Sequence, residues 1–247
     1  MSKSVQFSKK NENQDCVHFS RNEKNCLPSS SILYSRENLE EKIDRLVSSK
    51  YPFPNIQQSK QICKKIQSIK NLQDTILFLE KEKVRVDSYI YHQMLPKKAP
   101  WSCTKKLFQS IPDADKNVHL STSFIKLAGR NGDFKAAKIV FEETKALNIA
   151  NAFTYNLFID AAGKNGDLKA ATQAFEEAKS LEIADVITYS SFIDAAGKKG
   201  DLKAATESFN EAKSLKIANT ITYNSFIDVA GKNGNLEAAT KVFMEAK

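Results

Sequence analysis

Basic side chains recur at a fixed interval in the second half of the sequence. Of all the polar residues, their spacing indicates a binding site most directly. The four positions lie 34 residues apart and are occupied by Arg130, Lys164, Lys198 and Lys232. A row of cations at constant spacing suits a row of phosphate groups. A cation near the C-terminal end of a helix is also stabilised by the helix dipole. A purely structural role is therefore the alternative explanation of the row. We interpret the row as a phosphate-binding ladder.

Carboxylates recur with the same interval, at Asp160, Asp194 and Asp228, whereas Lys126 takes this place one interval earlier. Carboxylates one repeat apart indicate a charge pattern between successive units rather than a metal site. The histidines have no catalytic partner close by in the sequence; they are His18, His92 and His119. The sequence contains no Gly-rich phosphate loop. We therefore expect a protein that is not an enzyme and that holds neither a metal nor a cofactor.

The four cysteines follow no regular spacing; they are Cys16, Cys26, Cys63 and Cys103. A zinc site built from Cys16, His18 and Cys26 would still need a fourth ligand, and none is evident. The sequence favours free thiols in a reducing compartment.

The recurring charges lie at the start of a decapeptide, or just before it, and the sequence contains this decapeptide three times. The copies run over Gly163–Thr172, Gly197–Thr206 and Gly231–Thr240, and a looser copy covers Gly129–Lys138. A constant period of this length is typical of stacked repeats, in which one helical hairpin cannot bury its own apolar face. The period predicts an all-α protein, an α-solenoid of stacked helix–turn–helix repeats, and we expect its superhelix to be right-handed.

Residues 152–185 illustrate the predicted unit. A first helix over Thr154–Lys164 ends at Asn165-Gly166, residue types that tolerate a left-handed helix end. Asp167 then caps a second helix that runs to about Ser180. The phenylalanines of both helices are predicted to be core residues: Phe158, Phe192 and Phe226 in first helices, and Phe175, Phe209 and Phe243 in second helices.

Three regions follow from composition and periodicity. Residues 1–50 are basic and predicted to be largely disordered, with one short helix near their end. Residues 51–117 are read as two degenerate helical repeats that form an N-terminal cap. Residues 118–247 hold the regular units 118–151, 152–185 and 186–219 and an incomplete unit 220–247. These residues carry as many acidic as basic side chains, so the whole net charge of +8 comes from residues 1–117.

The units resemble pentatricopeptide repeats. The resemblance is carried by Val186–Asp194, by Lys198–Ala205 and by Phe209–Lys213, and Ile221–Asp228 is nearly the family consensus. The usual family unit has 35 residues, and here one residue is missing from the turn. The resemblance covers residues 118–247 well and residues 51–117 weakly.

The resemblance implies binding of single-stranded RNA with one base per repeat. The family reads each base with the residue after the repeat's Tyr and with the last residue of the turn. The implied pairs are Thr122 with Asn151, Asn156 with Asp185, and Ser190 with Asn219, followed by Asn224 alone. The implied base-sandwiching residues are His119, Phe153, Ile187 and Ile221. By resemblance, the site is 5′-A-U-A followed by a pyrimidine.

The implied role is RNA stability, processing or translation. The implied location is intracellular: a mitochondrion or plastid for a eukaryotic protein, and otherwise the bacterial cytoplasm or, after secretion, a host cell. The alternative is a protein-binding α-solenoid, which the zero net charge of residues 118–247 favours, since RNA-binding surfaces are usually basic. Three or four stacked bases give little affinity. We therefore expect help from the basic N-terminal region or from a protein partner, and no membrane partner.

Overall fold

The computed structural model describes residues 38–246, in which thirteen α-helices follow one another. Residues 1–37, which include most of the region predicted to be disordered and the Cys16, His18 and Cys26 group, lie outside the described part of the chain. None of the described helices is long and apolar enough to cross a membrane. The helices are α1 (Leu39–Val47), α2 (Ile56–Gln67), α3 (Leu72–Glu82), α4 (Ser88–Met94), α5 (Trp101–Gln109), α6 (Val118–Arg130), α7 (Phe134–Ala146), α8 (Ala152–Lys164), α9 (Leu168–Ser180), α10 (Val186–Lys198), α11 (Leu202–Ser214), α12 (Thr220–Lys232) and α13 (Leu236–Glu245).

The helices pack as a solenoid. The first helices of successive units, namely α2, α4, α6, α8, α10 and α12, form one row in which each contacts the next. From α6 onward, each second helix packs on its own first helix, and α7, α9 and α11 also pack on the first helix of the following unit. This arrangement confirms the all-α solenoid that the 34-residue period predicts.

Each helical hairpin is closed as the decapeptide predicts. Asp167 accepts a hydrogen bond from the backbone N–H of Ala170, and Asp133, Asp201 and Asn235 cap the second helices of the other regular units in the same way. Gly166 takes the left-handed conformation, with φ +73°. Asn165 stays outside that region, with φ −94°, and its side-chain amide instead donates to the carbonyl oxygen of Gly129 in the preceding unit.

Aromatic rings carry the core from one unit to the next. Phe175 of α9 stacks on Phe192 of α10 with ring centroids 4.3 Å apart, and the Tyr189 ring meets the Phe175 ring edge-on. The equivalent stack joins Phe209 to Phe226. The predicted burial is wrong for Phe243, which is half exposed. The rings at its position in earlier units are covered by the first helix of the following unit, and no such helix follows α13 in the described residues.

Small residues set the distance between neighbouring first helices. Gly163 of α8 faces Ala195 of α10 so closely that a Cβ atom added to the glycine would lie 2.6 Å from the Ala195 Cβ. Gly129 faces Ala161 in the same way. The decapeptide glycine is therefore required by close packing of the first-helix row.

Second helices are joined to the following unit by a charged network. Lys179 of α9 pairs with Glu211 of α11 at 2.8 Å, and its ammonium lies 5.2 Å from the centroid of the Phe175 ring. Glu211 also accepts a hydrogen bond from the Tyr189 hydroxyl. The same arrangement joins Lys145 to Glu177 and Lys213 to Glu245. Each unit is thereby fixed to the next by polar contacts outside the aromatic core.

The N-terminal helices are joined to the regular units through Asp133. This α7 cap accepts hydrogen bonds from the Trp101 indole at 3.0 Å and from the Lys105 ammonium at 2.9 Å, both on α5. These two hydrogen bonds, from Lys105 first and Trp101 second, lower the pKa of the Asp133 carboxyl below its usual value. The capping carboxylate is therefore shared between the two parts of the fold.

Candidate nucleic-acid interface

The predicted base-sandwiching residues all stand in the first turn of a first helix, two positions after the capping residue. Phe153 is 58% exposed and Ile221 is 47% exposed. Ile187 and His119 are exposed at the same position of α10 and α6. Large side chains that stay exposed at one position of every unit provide a row of flat or apolar contacts along the first-helix row.

The predicted readers after the Tyr are mostly buried. Thr122, Asn156 and Ser190 are each less than a tenth exposed, because the next first helix covers them. The hydroxyl of Thr122 donates to the Val118 carbonyl, and the hydroxyl of Ser190 donates to the Val186 carbonyl. Asn224 is exposed. The buried polar groups of these readers therefore lie beneath the surface on which the predicted base-sandwiching residues are exposed.

The predicted readers in the turn are the N-cap residues of first helices. Asn151 accepts a hydrogen bond from the Thr154 backbone N–H, and Asn219 accepts from the Thr222 backbone N–H. Asp185 does the same for Thr188. Asn and Asp are both favoured at this place in a helix. Capping alone therefore accounts for these residue types, and their identity is weaker support for base reading than the sequence suggested.

The two readers of the second unit contact each other. The side-chain amide of Asn156 donates to the Asp185 carboxylate at 3.2 Å. Burial would raise the pKa of Asp185, but hydrogen bonds from Thr188 and Asn156 outweigh it and hold that pKa below its usual value. An ionised carboxylate can only accept, so the Asn156 nitrogen faces it. The Asn156 Oδ1 atom is left buried without a hydrogen-bond partner.

The basic ladder lies at the far end of the first helices, where carboxylates neutralise part of it. Lys164 pairs with Asp160 at 2.5 Å, and Lys198 lies 3.9 Å from the same carboxylate. Lys232 pairs with Asp228 at 2.6 Å. All of these side chains remain partly exposed, so the row is accessible but its net charge is low.

The first regular unit differs, because Lys126 stands in α6 where the later units have aspartate. Arg130 is exposed, and no carboxylate pairs with it among residues 38–246. The positive charge of the first-helix row is therefore greatest toward its N-terminal end.

The carboxylates of the ladder are close enough to influence one another. Burial raises the pKa of Asp194, and the charges of Asp228 and Asp160 add to that effect against the opposing charge of Lys198. In the described part of the chain, no group of three or more His, Cys, Asp or Glu side chains is arranged to hold a metal ion.

Family profiles match the C-terminal part of the chain. The profile of the pentatricopeptide repeat domain matches residues 175–233, and that of the PPR repeat matches residues 153–183 and 221–247. No curated protein sequence matches the chain.

Solved structures share the fold. The pentatricopeptide repeat protein PPR10 from maize matches with a TM-score of 0.51 and 16% identity, over 76% of this chain and 32% of that one. The structure of PPR10 in complex with an 18-nt psaJ RNA element matches with a TM-score of 0.51 and 18% identity, over 84% and 34%. The chain thus spans about a third of the length of these proteins. The profiles together cover residues 153–247, so this part of the chain matches the pentatricopeptide repeat, and the solved structures show that the chain shares their solenoid fold.

Proposed function

We propose that the protein binds single-stranded RNA along its first-helix row, with one base per regular unit, and acts in RNA stability, processing or translation. The match of residues 153–247 to pentatricopeptide repeat profiles supports this proposal, as does the shared fold with PPR10, whose structure was solved with an RNA element. The readers would be the Thr122–Asn151, Asn156–Asp185 and Ser190–Asn219 pairs and Asn224. The base sequence would be 5′-A-U-A-pyrimidine, read from the N-terminal unit.

The observation that carries the proposal is the unpaired Oδ1 of Asn156. A buried polar atom without a hydrogen-bond partner costs about 1–3 kcal/mol, and such atoms are rare in folded proteins. The Asp185 carboxylate holds the Asn156 nitrogen, so the oxygen is left as an acceptor for an outside donor. Uracil offers an N–H donor on its base-pairing edge, and the exposed Phe153 and Ile187 stand on either side of this unit for the base to pack against.

Base reading on this surface requires a local movement. Thr122, Asn156 and Ser190 are covered in the free protein, so a base that reaches them must displace neighbouring side chains or separate adjacent first helices slightly. The free-energy cost of this movement lowers the affinity further. Four bases give little affinity by themselves, since stacking contributes roughly 1–3 kcal/mol per base. The basic residues before residue 118 or a protein partner would supply the remaining affinity.

The experiment exchanges the readers of one unit. The double variant Asn156→Thr, Asp185→Asn gives the second unit the same reader pair as the first unit, and α10 keeps a polar cap at residue 185. Purified wild-type and variant proteins are each incubated with a randomised short RNA pool, and the retained RNA is sequenced. We expect wild type to enrich A-U-A and the variant to enrich A-A-A.

The matched control is Thr172→Asn on the second helix α9, which adds a similar amide away from the row and should leave the enriched sequence unchanged. If wild type retains no sequence preferentially, the RNA proposal is wrong. The protein-binding α-solenoid, which the zero net charge of residues 118–247 favours, then becomes the better interpretation.

A further inference from the structure

One face of α7, the second helix of the first regular unit, is exposed along the length of the helix. It carries two cations in its N-terminal half, an isoleucine near its centre and two carboxylates in its C-terminal half. The residues that we call the α7 face are Lys135, Lys138, Ile139, Glu142, Glu143 and Ala146. They line a shallow depression of about 570 Å³ on the surface of the helix.

An apolar centre distinguishes the α7 face from the other second helices of the regular units. Ile139 is 52% exposed. The same position is polar in α9, α11 and α13, where it holds Gln173, Glu207 and Lys241. Isoleucine is a weaker helix former than these polar residues, and it gains little burial here. Neither helix formation nor the core accounts for Ile139, so contact with a partner molecule is the role that remains.

Three of the four charges on the α7 face have no partner within the described chain. Glu143 occupies the position of Glu211, whose carboxylate binds a lysine of the preceding second helix and a tyrosine of its own unit. Both partners are missing for Glu143, because residues 111 and 121 are isoleucine and serine. Lys135 and Lys138 likewise form no ion pair with any residue of the range 38–246. These three charges are free to pair with another molecule.

The order of the charges makes the α7 face complementary to itself. Lys135 and Glu143 lie four residues before and after Ile139, about 6 Å along the helix in either direction. When two α7 helices run antiparallel with their isoleucines in contact, Lys135 of each copy therefore meets Glu143 of the other. Lys138 of each copy then lies near Glu142 of the other. Reciprocal contacts of this kind are what a two-fold interface requires.

The charge of the α7 face argues against other classes of partner. Two lysines and two glutamates sum to zero, so the face attracts neither a nucleic acid nor an anionic membrane. Two copies in parallel would place lysine against lysine and glutamate against glutamate. The face is small compared with the roughly 800 Å² that each partner buries in a stable interface. The association expected from it is therefore weak and depends on protein concentration.

We propose that the protein forms a two-fold symmetric dimer through the α7 face, with Ile139 on the axis and with Lys135 and Glu143 paired reciprocally across it. This inference goes beyond RNA binding and does not depend on it, because α7 is a second helix and the proposed RNA surface is the row of first helices. Each dimer leaves two first-helix rows free.

Sedimentation equilibrium of the full chain from about 1 μM to about 1 mM covers the range in which a small interface associates. We expect the mean mass of wild type to rise with concentration from monomer toward dimer. Ile139→Gln introduces the residue type that α9 has at this position, so the helix is retained. Dimerisation should weaken at least about tenfold, since each dimer loses two isoleucine contacts. A monomer at every concentration would overturn the proposal and leave the α7 face to a partner of different sequence.

A charge exchange tests the antiparallel pairing. Lys135→Glu and Glu143→Lys each place like charges across the axis, and each variant alone should dimerise about tenfold more weakly than wild type. Mixed in equal amounts, the two variants should associate with each other about as strongly as wild type does, because opposite charges then meet on both sides of the axis. Lys169→Glu makes the same change at the equivalent position of α9 and should have no effect. No recovery in the mixture, or unweakened dimerisation of Ile139→Gln, would show that this interface is wrong.

Discussion

The side-chain amide of Asn156 in α8 donates a hydrogen bond at 3.2 Å to the carboxylate of Asp185, which precedes α10, so two neighbouring first helices are joined before any ligand is present. The same carboxylate caps α10 through Thr188. One side chain thus serves helix formation, contact between units and, in our proposal, base reading. A change at Asp185 will therefore affect stability as well as specificity, and the two effects have to be measured separately.

The depressed pKa of Asp185 predicts a stability difference that depends on pH. We expect wild type to be more stable than Asp185→Asn at pH 7 by roughly 0.3–1 kcal/mol, because a charged cap also interacts with the helix dipole while asparagine still caps. A group whose pKa is lower in the folded state gives stability above its unfolded pKa, near 4, that is lost as the pH falls through the folded value. Urea unfolding of both proteins at pH 7 and at pH 3 should show the difference disappearing at low pH. A difference that stays constant would contradict this account.

Removal of a ladder carboxylate should strengthen RNA binding. Asp160 neutralises Lys164 and lies within reach of Lys198, so Asp160→Asn frees two cations. We expect affinity to rise roughly two- to fivefold, in line with the energy of about 0.2–1 kcal/mol per exposed ion pair, and the salt dependence to become steeper. Glu207→Gln on α11 makes the same charge change away from the first-helix row. Equal effects of the two variants would show that only net charge matters.

Glycine in the decapeptide should be essential only where another first helix covers it. Gly163→Ala places a methyl group against the backbone and side chain of Ala195, and we expect a loss of about 1–3 kcal/mol in the free energy of unfolding. Gly231 occupies the same position in α12 but has no atom within 4 Å of an added Cβ. Gly231→Ala should be neutral or stabilising by up to about 1 kcal/mol, since alanine favours the helix. Thermal unfolding of the two variants measures the contrast, and equal losses would argue against close packing as the reason.

The features that sequence predicted well are those decided within one unit. The cap at Asp167, the helix end at Gly166 and the buried rings other than Phe243 follow from local spacing, and the structure confirms them. The turn between α9 and α10 was harder to predict. Glu182 takes the left-handed conformation there, with φ +56°, although this turn contains no glycine.

Features that depend on how units stack could not be predicted. The hydrogen bond between Asn156 and Asp185, the neutralisation of Lys198 by Asp160 and the exposure of Phe243 each depend on which helix lies beside the residue in space. A repeat of 34 residues fixes the order of these neighbours but not the distances between their side chains.

The network between Lys179 and Glu211 should couple neighbouring units more strongly than an exposed pair does. Lys179→Met keeps the packing over Phe175, and Glu211→Gln keeps an acceptor for the Tyr189 hydroxyl, so the double-mutant cycle isolates the ion pair. We expect a coupling energy of about 1 kcal/mol, because both side chains are partly buried and the ammonium also lies near the ring. The control cycle uses Lys203→Met and Glu207→Gln, whose side chains are 87% and 68% exposed, and its coupling should stay below about 0.5 kcal/mol. Urea unfolding of the seven proteins at low and high salt gives both couplings. Two cycles of equal size would mean that the Lys179–Glu211 contact adds nothing beyond a surface ion pair and that the aromatic stacks alone hold the units together.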